Sequence, residues 1–379
     1  MRKVILIPDS FKGTMSSSLI CDIMEEAVKK YYPSAEIQKI PVADGGEGSV
    51  DAFLQAAGGT KVYTTVKGPY FEDMDAFYGM LDDGKTAVIE MAACAGLPLV
   101  GDKKNPSLTT TYGVGQLILD AVKKGAKHVI VGLGGSATND AGTGAAAACG
   151  VVFFDRNRKS FVPTGGTLKD IAAIDAKTLN PLLKDVSITT MCDINNPLFG
   201  TNGAAHIFGP QKGADPSMVE ELDKGLRHVS EIVKRDIGIE SESMPGAGAA
   251  GGMGYGMHVF FGSRLQMGIE TVLDTVQFDS LVKDADFVFT GEGKIDSQTL
   301  RGKVVIGVAK RAKLAHVPVI AIVGDIGDDI DPVYETGVSA VFSINRVAVD
   351  FPQAKLRAQK DLYLTMDNLI RFIKNTIGK

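Results

Sequence analysis

The sequence predicts an α/β protein of two domains: a doubly wound parallel sheet assembled from both chain ends and interrupted by a mixed α/β domain. Three observations predict it. The N-terminal segment alternates strand and helix, the same alternation returns from about Asp286, and the stretch between them breaks the rhythm with hairpin patterning. A chain of 379 residues also exceeds one typical core.

The elements follow in order. Val4 to Ile7 is an apolar run of strand length, and from Ser17 to Lys30 the apolar residues recur at helical spacing. Ile37 to Val42 reads as a second strand, with a helix after Gly48. Beyond Asp286, DFVFTG is a strand and VVIGVAKRAKLA a helix; PVIAIVG and AVFSI are two more strands, and a helix closes the chain. Two strands from the start and three from the end make one parallel sheet. In the middle, VYTTVKGPYFEDMDAFYGMLDDGKTAVIEMA reads as antiparallel strands joined by turns. The expected domains are residues 1–61 with 269–379, and residues 62–268. GAGAAGGMGYG, from Gly246, has the density of a linker or of a tight loop.

Composition excludes several classes of function. The net charge is -5 and no stretch carries a Lys/Arg stripe, so nucleic acid is not the expected partner. MRKVILIPDSFKG has too short an apolar run for a signal peptide, and no run reaches membrane-spanning length, so the expected location is the cytoplasm, with no membrane partner. Cys21, Cys94, Cys149 and Cys192 show no CxxC spacing; they read as small buried hydrophobes rather than as a zinc or disulfide framework. The five histidines include no HxxxH pair and read as ordinary core or surface residues.

Open parallel sheets bind ligands beyond the carboxyl ends of their strands, and there the sequence is polar. The first strand is followed by Asp9, Ser10 and Lys12, and the second by Asp44 with Gly45, Gly46 and Gly48. Later strands deliver Glu292, Lys294 and Asp296, then Asp325. Each alone is a normal turn or cap residue, but their recurrence on one edge marks a site. HVIV, from His128, exits into GLGGSATND, and AGTGAAAA starts a helix. Glycines there permit positive φ and close approach of backbone to a ligand, and free N–H groups favour an anion such as phosphate. Asp140 in that loop would repel a triphosphate unless Mg²⁺ lay between or the carboxylate faced a hydroxyl. Equally, Thr138, Asn139 or Asp140 could cap the helix. Asp193, ending the strand SITTMC, could be a base, a metal ligand or an Asx turn; Asn195, Asn196, His206, Gln211 and Lys212 follow.

Two other patterns compete. Gly132, Gly134 and Ala137 fit GxGxxA, with Asp155 placed as a ribose-binding acid, which would make the chain an NAD-dependent oxidoreductase of small hydroxy acids. GMLDDGKT, from Gly79, matches the phosphate-loop pattern letter for letter, but a strand follows where a helix is required, so Asp82, Asp83 and Gly84 read as a hairpin turn.

Taken together, IPDSFKGT, PVADGGEG, GLGGSATNDAGTG, CDINNPLFGTNGAA, FGPQKGA and TGEGKIDSQT resemble, in this order and across essentially the whole chain, the bacterial glycerate kinases of the glyoxylate- and galactarate-pathway type. The resemblance implies phosphorylation of D-glycerate by ATP with Mg²⁺, more often giving 2-phosphoglycerate, with a 3-phosphoglycerate-forming enzyme the near alternative. It also implies a flavodoxin-like domain from both termini, an insertion of restriction-endonuclease-like topology, and a substrate cleft between the domains. On that reading Gly134, Gly135, Ser136, Asn139 and Gly142 cradle phosphates, and Asp140, Glu292 and Asp296 are metal candidates. Lys12 pairs with a carboxylate or the γ-phosphate, and Asp193 and Asp44 lead for the base. A sensor that kept the site and lost turnover is disfavoured, because these acids and Lys12 are all present. Where the family often reads NDGG this chain has Ala141, which fits if its φ is negative. The sequence leaves the oligomeric state open, a homo-oligomer included.

Overall fold

The computed structural model describes residues 1–43, 45–296 and 303–377. The chain separates into two compact units: Met1–Ala43 with Gln55–Ala57 and Ile269–Lys379, and Asp44–Leu54 with Gly58–Gly268.

The first unit is α/β, as predicted. Strands Lys3–Pro8, Glu36–Lys39, Phe287–Gly291, Val319–Val323 and Val338–Ser343 form one sheet, all neighbours parallel. Numbered in sequence, its order is 2-1-3-4-5, the flavodoxin-like arrangement. Val4 to Ile7 are fully buried, as a strand covered on both faces requires. Helix Ser17–Tyr31 is capped by the Ser16 hydroxyl on Leu19 N–H. It packs on Phe351–Ile377 through Ile20, Met24, Leu362 and Met366. Asp367 ties the two helices together, accepting from Lys30 Nζ at 2.6 Å, Tyr31 Oη at 3.0 Å and Arg371 at 2.7 Å.

The second unit carries a six-stranded mixed sheet in the order Arg264–Gln266, Ser187–Met191, His128–Gly132, Thr86–Glu90, Asp73–Leu81, Gly59–Lys67. The first four run parallel and Asp73–Leu81 runs against both its neighbours. One core packs Ile89, Val129, Val131, Leu117 and Met253 on this sheet. A second gathers Leu222, Leu226, Tyr255, Phe153 and Phe260, the last two edge-on at 5.8 Å. Helix Pro216–Asp236 begins with Asp215 accepting from Met218 N–H at 2.8 Å.

The phosphate-loop match is a hairpin turn, as read. Asp83 accepts from Lys85 N–H, Thr86 N–H and the Thr86 hydroxyl, and Gly84 takes φ +62°. Helix Ser49–Ala57 forms where a helix was expected after Gly48. Its residues Val50 and Leu54 lie against Gly79 of the inserted sheet, so Asp44–Leu54 joins the second unit rather than the 1–61 segment. The glycine-dense stretch from Gly246 is not a linker. It enters helix Ala249–Phe261 through a kink at Ala250, Gly251 and Gly252, all at positive φ, and is buried. All four cysteines are free, and three of them buried. Among the described residues no helix is long and apolar enough to cross a membrane.

Candidate active site

In the second unit Glu90, Gly132 and Met191 end three parallel strands in matching register, so the loops leaving them share one edge. The glycines there answer first to each other. Gly134 N–H donates to the Gly45 carbonyl at 2.9 Å, and a Cβ on Gly132 would lie 2.4 Å from that same oxygen. A Cβ on Gly134 would lie 2.5 Å from Gly46 Cα. On the other flank, a Cβ on Gly251 would lie 2.0 Å from the Thr138 carbonyl, and one on Gly256 2.3 Å from that of Ala141. Three glycine-rich stretches far apart in sequence thus pack backbone on backbone, which any side chain would prevent. Gly135, at φ +73°, is the exposed tip of the loop.

Asp140 lies inside this packing, fully buried. Its Oδ2 accepts from Thr111 N–H at 2.8 Å, the Thr111 hydroxyl at 2.9 Å and Gly144 N–H at 3.3 Å, and its Oδ1 from Gly142 N–H at 3.1 Å. Burial pushes its pKa up and these donors pull it back. A cage made of donors alone is built for the carboxylate, not the acid. The anion at the start of helix Thr143–Ala148 is therefore the protein's own, and the Thr111 hydroxyl takes Ala145 N–H at 2.9 Å. Of the two compatible roles expected of Asp140, the structure shows the cap.

Ala141, next in line, has φ +53°, which corrects the expectation of a negative value. The Ala141 amide donates to the Gly251 carbonyl at 3.0 Å, and that packing holds the residue left-handed. Ala141→Gly relieves ~1–2 kcal/mol of backbone strain. It also loses ~0.8 kcal/mol of methyl burial and ~0.4–1 kcal/mol to a freer unfolded chain. The expected result is a stability within about 1 kcal/mol of the parent, read from urea denaturation.

Lys212 lies on the inner side of the loop. Its Nζ donates to Ser136 Oγ at 2.9 Å and to the Thr138 carbonyl at 2.7 Å, and the residue is 2% exposed. Burial pushes its pKa down to about 7 against the opposing field of Asp140. Thr138 Oγ1 and both amide atoms of Asn139 are buried without a hydrogen-bond partner among the described residues. Glu90, also buried, accepts from Ser49 N–H at 2.9 Å and so caps helix Ser49–Ala57; burial raises its pKa. The sequence placed Lys212 in the candidate site without giving it a role, and Glu90 did not stand among the residues chosen. The signal for the lysine was the motif FGPQKGA, whose Gly213 turns at φ +95°.

Asp193 is exposed just past the Ser187–Met191 strand, next to the strand that feeds the glycine loop, and accepts from Gly268 N–H at 2.7 Å. Asp44 lies outside the described residues; its neighbour Gly45 packs on Gly132. The second unit therefore brings Gly134, Gly135, Ser136, Asn139, Gly142 and Asp140 into one loop, with Asp193 on the same edge. Lys12, Glu292 and Asp296 belong to the first unit. There, Asp9 N–H bonds the Gly291 carbonyl at 2.8 Å and Asp325 N–H the Gly293 carbonyl at 3.0 Å, so three strand-exit loops run together. Lys12 is exposed, Asp296 half-buried and Glu292 buried. Asp155, the would-be ribose acid, accepts from Asn157 N–H and Lys159 N–H in a hairpin turn. His128, His206, His228 and His258 make ordinary surface or packing contacts.

Fold and site together define a class: a two-unit α/β protein that gathers polar loops at the carboxyl edges of parallel strands, where open sheets bind ligands. The family model described as "Glycerate kinase family" matches residues 4–374. A protein of Bacillus cereus named glycerate kinase is 45% identical over 97% of each chain. One of Escherichia coli named glycerate 2-kinase is 45% identical over 90% of each. The crystal structure of a Salmonella typhimurium protein provisionally named glycerate kinase 2 superposes with a TM-score of 0.88 at 39% identity, covering both chains completely. The chain belongs to the glycerate kinase family, and it is an enzyme, a kinase whose acceptor is an alcohol group.

Proposed function

We propose that the enzyme phosphorylates D-glycerate with ATP and Mg²⁺ and releases 2-phosphoglycerate. The observation that carries this reading is the loop Gly134–Asn139, which turns at the carboxyl edge of parallel strands over a buried lysine. Phosphoryl transfer depends on positioning and on stabilising charge, and a backbone rigidly packed on glycines supplies both. Gly134, Gly135, Ser136 and Asn139 are assigned to the phosphates. Gly142 shapes the loop through its left-handed turn and cap. Asp193 is assigned as the base for the glycerate hydroxyl, with Asp44 second. Lys12 pairs with the glycerate carboxylate or the γ-phosphate.

Among the described residues no group of three or more His, Cys, Asp or Glu side chains could hold a metal ion. Mg²⁺ is usually held by one or two carboxylates together with substrate phosphates. Glu292 and Asp296 of the first unit are the carboxylates assigned to it. The 2-hydroxyl is preferred because the Escherichia coli relative is named glycerate 2-kinase. Coupled ADP release with ATP, Mg²⁺ and D-glycerate tests the reading, with the product's phosphorus–proton coupling placing the phosphate. Turnover to the 2-phosphate is expected; no turnover by folded protein would remove the assignment.

A further inference from the structure

We propose that Lys212 is a positioning residue for phosphoryl transfer, an internal pin that fixes the loop presenting Gly134, Gly135 and Asn139. The inference rests on the phosphate role given to that loop above. Lys212 does not itself reach the reactants, being 2% exposed; it acts through the loop.

The geometry is specific. One ammonium spans two points of a single turn, the Ser136 hydroxyl and the Thr138 carbonyl, at 2.9 and 2.7 Å. Just before these points the loop is tied by Gly134 N–H to Gly45, and just after them by Ala141 N–H to Gly251. Between those ties, Ala137 N–H bonds the Ala95 carbonyl, and Lys212 holds the residues on either side of it. The pin is costly as a purely structural device. Burying an ammonium against two neutral acceptors is unfavourable, and a neutral donor could bond a hydroxyl and a carbonyl as well. Burial pulls its pKa down to about 7, which records that cost. Asp140 compensates through space while its own oxygens are engaged with Thr111, Gly142 and Gly144. Meanwhile Thr138 Oγ1 and the Asn139 amide, in the pinned segment, are left unpartnered among the described residues. Buried polar groups held in place without protein partners suit a segment positioned for a ligand.

The test uses the full-length enzyme and Lys212→Met, which keeps an unbranched apolar stem and removes the terminal amine. Expected results are a fall in kcat of about 100-fold and a rise of about tenfold in the dissociation constant for MgATP by calorimetric titration. The thermal midpoint should stay within about 3 °C of the parent. A merely structural lysine would lower the midpoint and leave the affinity of the remaining folded molecules unchanged. Lys212→Gln, which keeps a donor without charge, serves if the methionine variant does not fold. Affinity and kcat both within about threefold of the parent would overturn the proposal, and so would failure of both variants to fold. A parent that neither binds MgATP nor turns over glycerate would instead overturn the functional reading on which the inference stands.

Discussion

Asp140→Ala is expected to lower the thermal unfolding midpoint of the second unit by on the order of 10 °C. The substitution removes the acceptor of three backbone N–H groups and one hydroxyl, all buried. Each buried donor left without an acceptor costs ~1–3 kcal/mol, and water entering the hole recovers part of that. A net loss of roughly 3–5 kcal/mol is the size found when a buried, bonded charge is removed. The loss also strips Lys212 of its compensating field. Scanning calorimetry is the right measurement, because a chain of two units need not unfold in one step and has no tryptophan to report on either. Asp140→Asn should lose less, since its carbonyl can still serve Thr111 while its NH₂ is forced against Gly142 N–H. A shift below about 2 °C for the alanine variant would show that the cage does not hold the loop.

That residue also shows where reading the sequence stops. Strand and helix alternation is a local signal, and both sheet-forming chain ends were legible because each element repeats its own period over a few residues. The need for glycine between Val131 and Gly150 was equally legible. Its cause was not, because the atoms that crowd a Cβ there belong to Gly45, Gly46, Thr110 and Gly256, brought in from other segments. Asp140 looks the same in sequence whether it caps a helix or faces a metal. The donor that completes its cage, Thr111, comes from 29 residues upstream.

The same reason accounts for the roles that were passed over. Glu90 ends an ordinary strand, and its role as a cap appears only when helix Ser49–Ala57 is set against it. Lys212 was legible as a member of the candidate site, but not as a residue held inside it. Only the fold, which closes 76 residues between it and Ser136, makes it a buried cation. The domain boundary moved for a related cause, since the contacts of Val50 and Leu54 with Gly79 carry most of their helix into the second unit. By contrast, the GMLDDGKT hairpin was legible because its meaning lies in the turn itself.

Asp193→Asn is expected to reduce kcat by roughly 100- to 10,000-fold, the range for losing a general base. The amide cannot take the hydroxyl proton, yet its carbonyl oxygen can keep the 2.7 Å bond from Gly268 N–H, so the chain should hold its course past the Ser187–Met191 strand. Affinity for MgATP should therefore stay within about threefold of the parent, and the thermal midpoint should not move. This pattern separates Asp193 from Lys212, whose replacement is expected to weaken nucleotide binding as well as turnover. It also separates chemistry from scaffold: Asp193→Ala, which loses the Gly268 contact too, should add a drop in midpoint to the same loss of kcat. If Asp193→Asn turns over near the parental rate, the carboxylate is an Asx-type anchor that accepts from Gly268 N–H. The base role would pass to Asp44, which precedes Gly45, packed on Gly132.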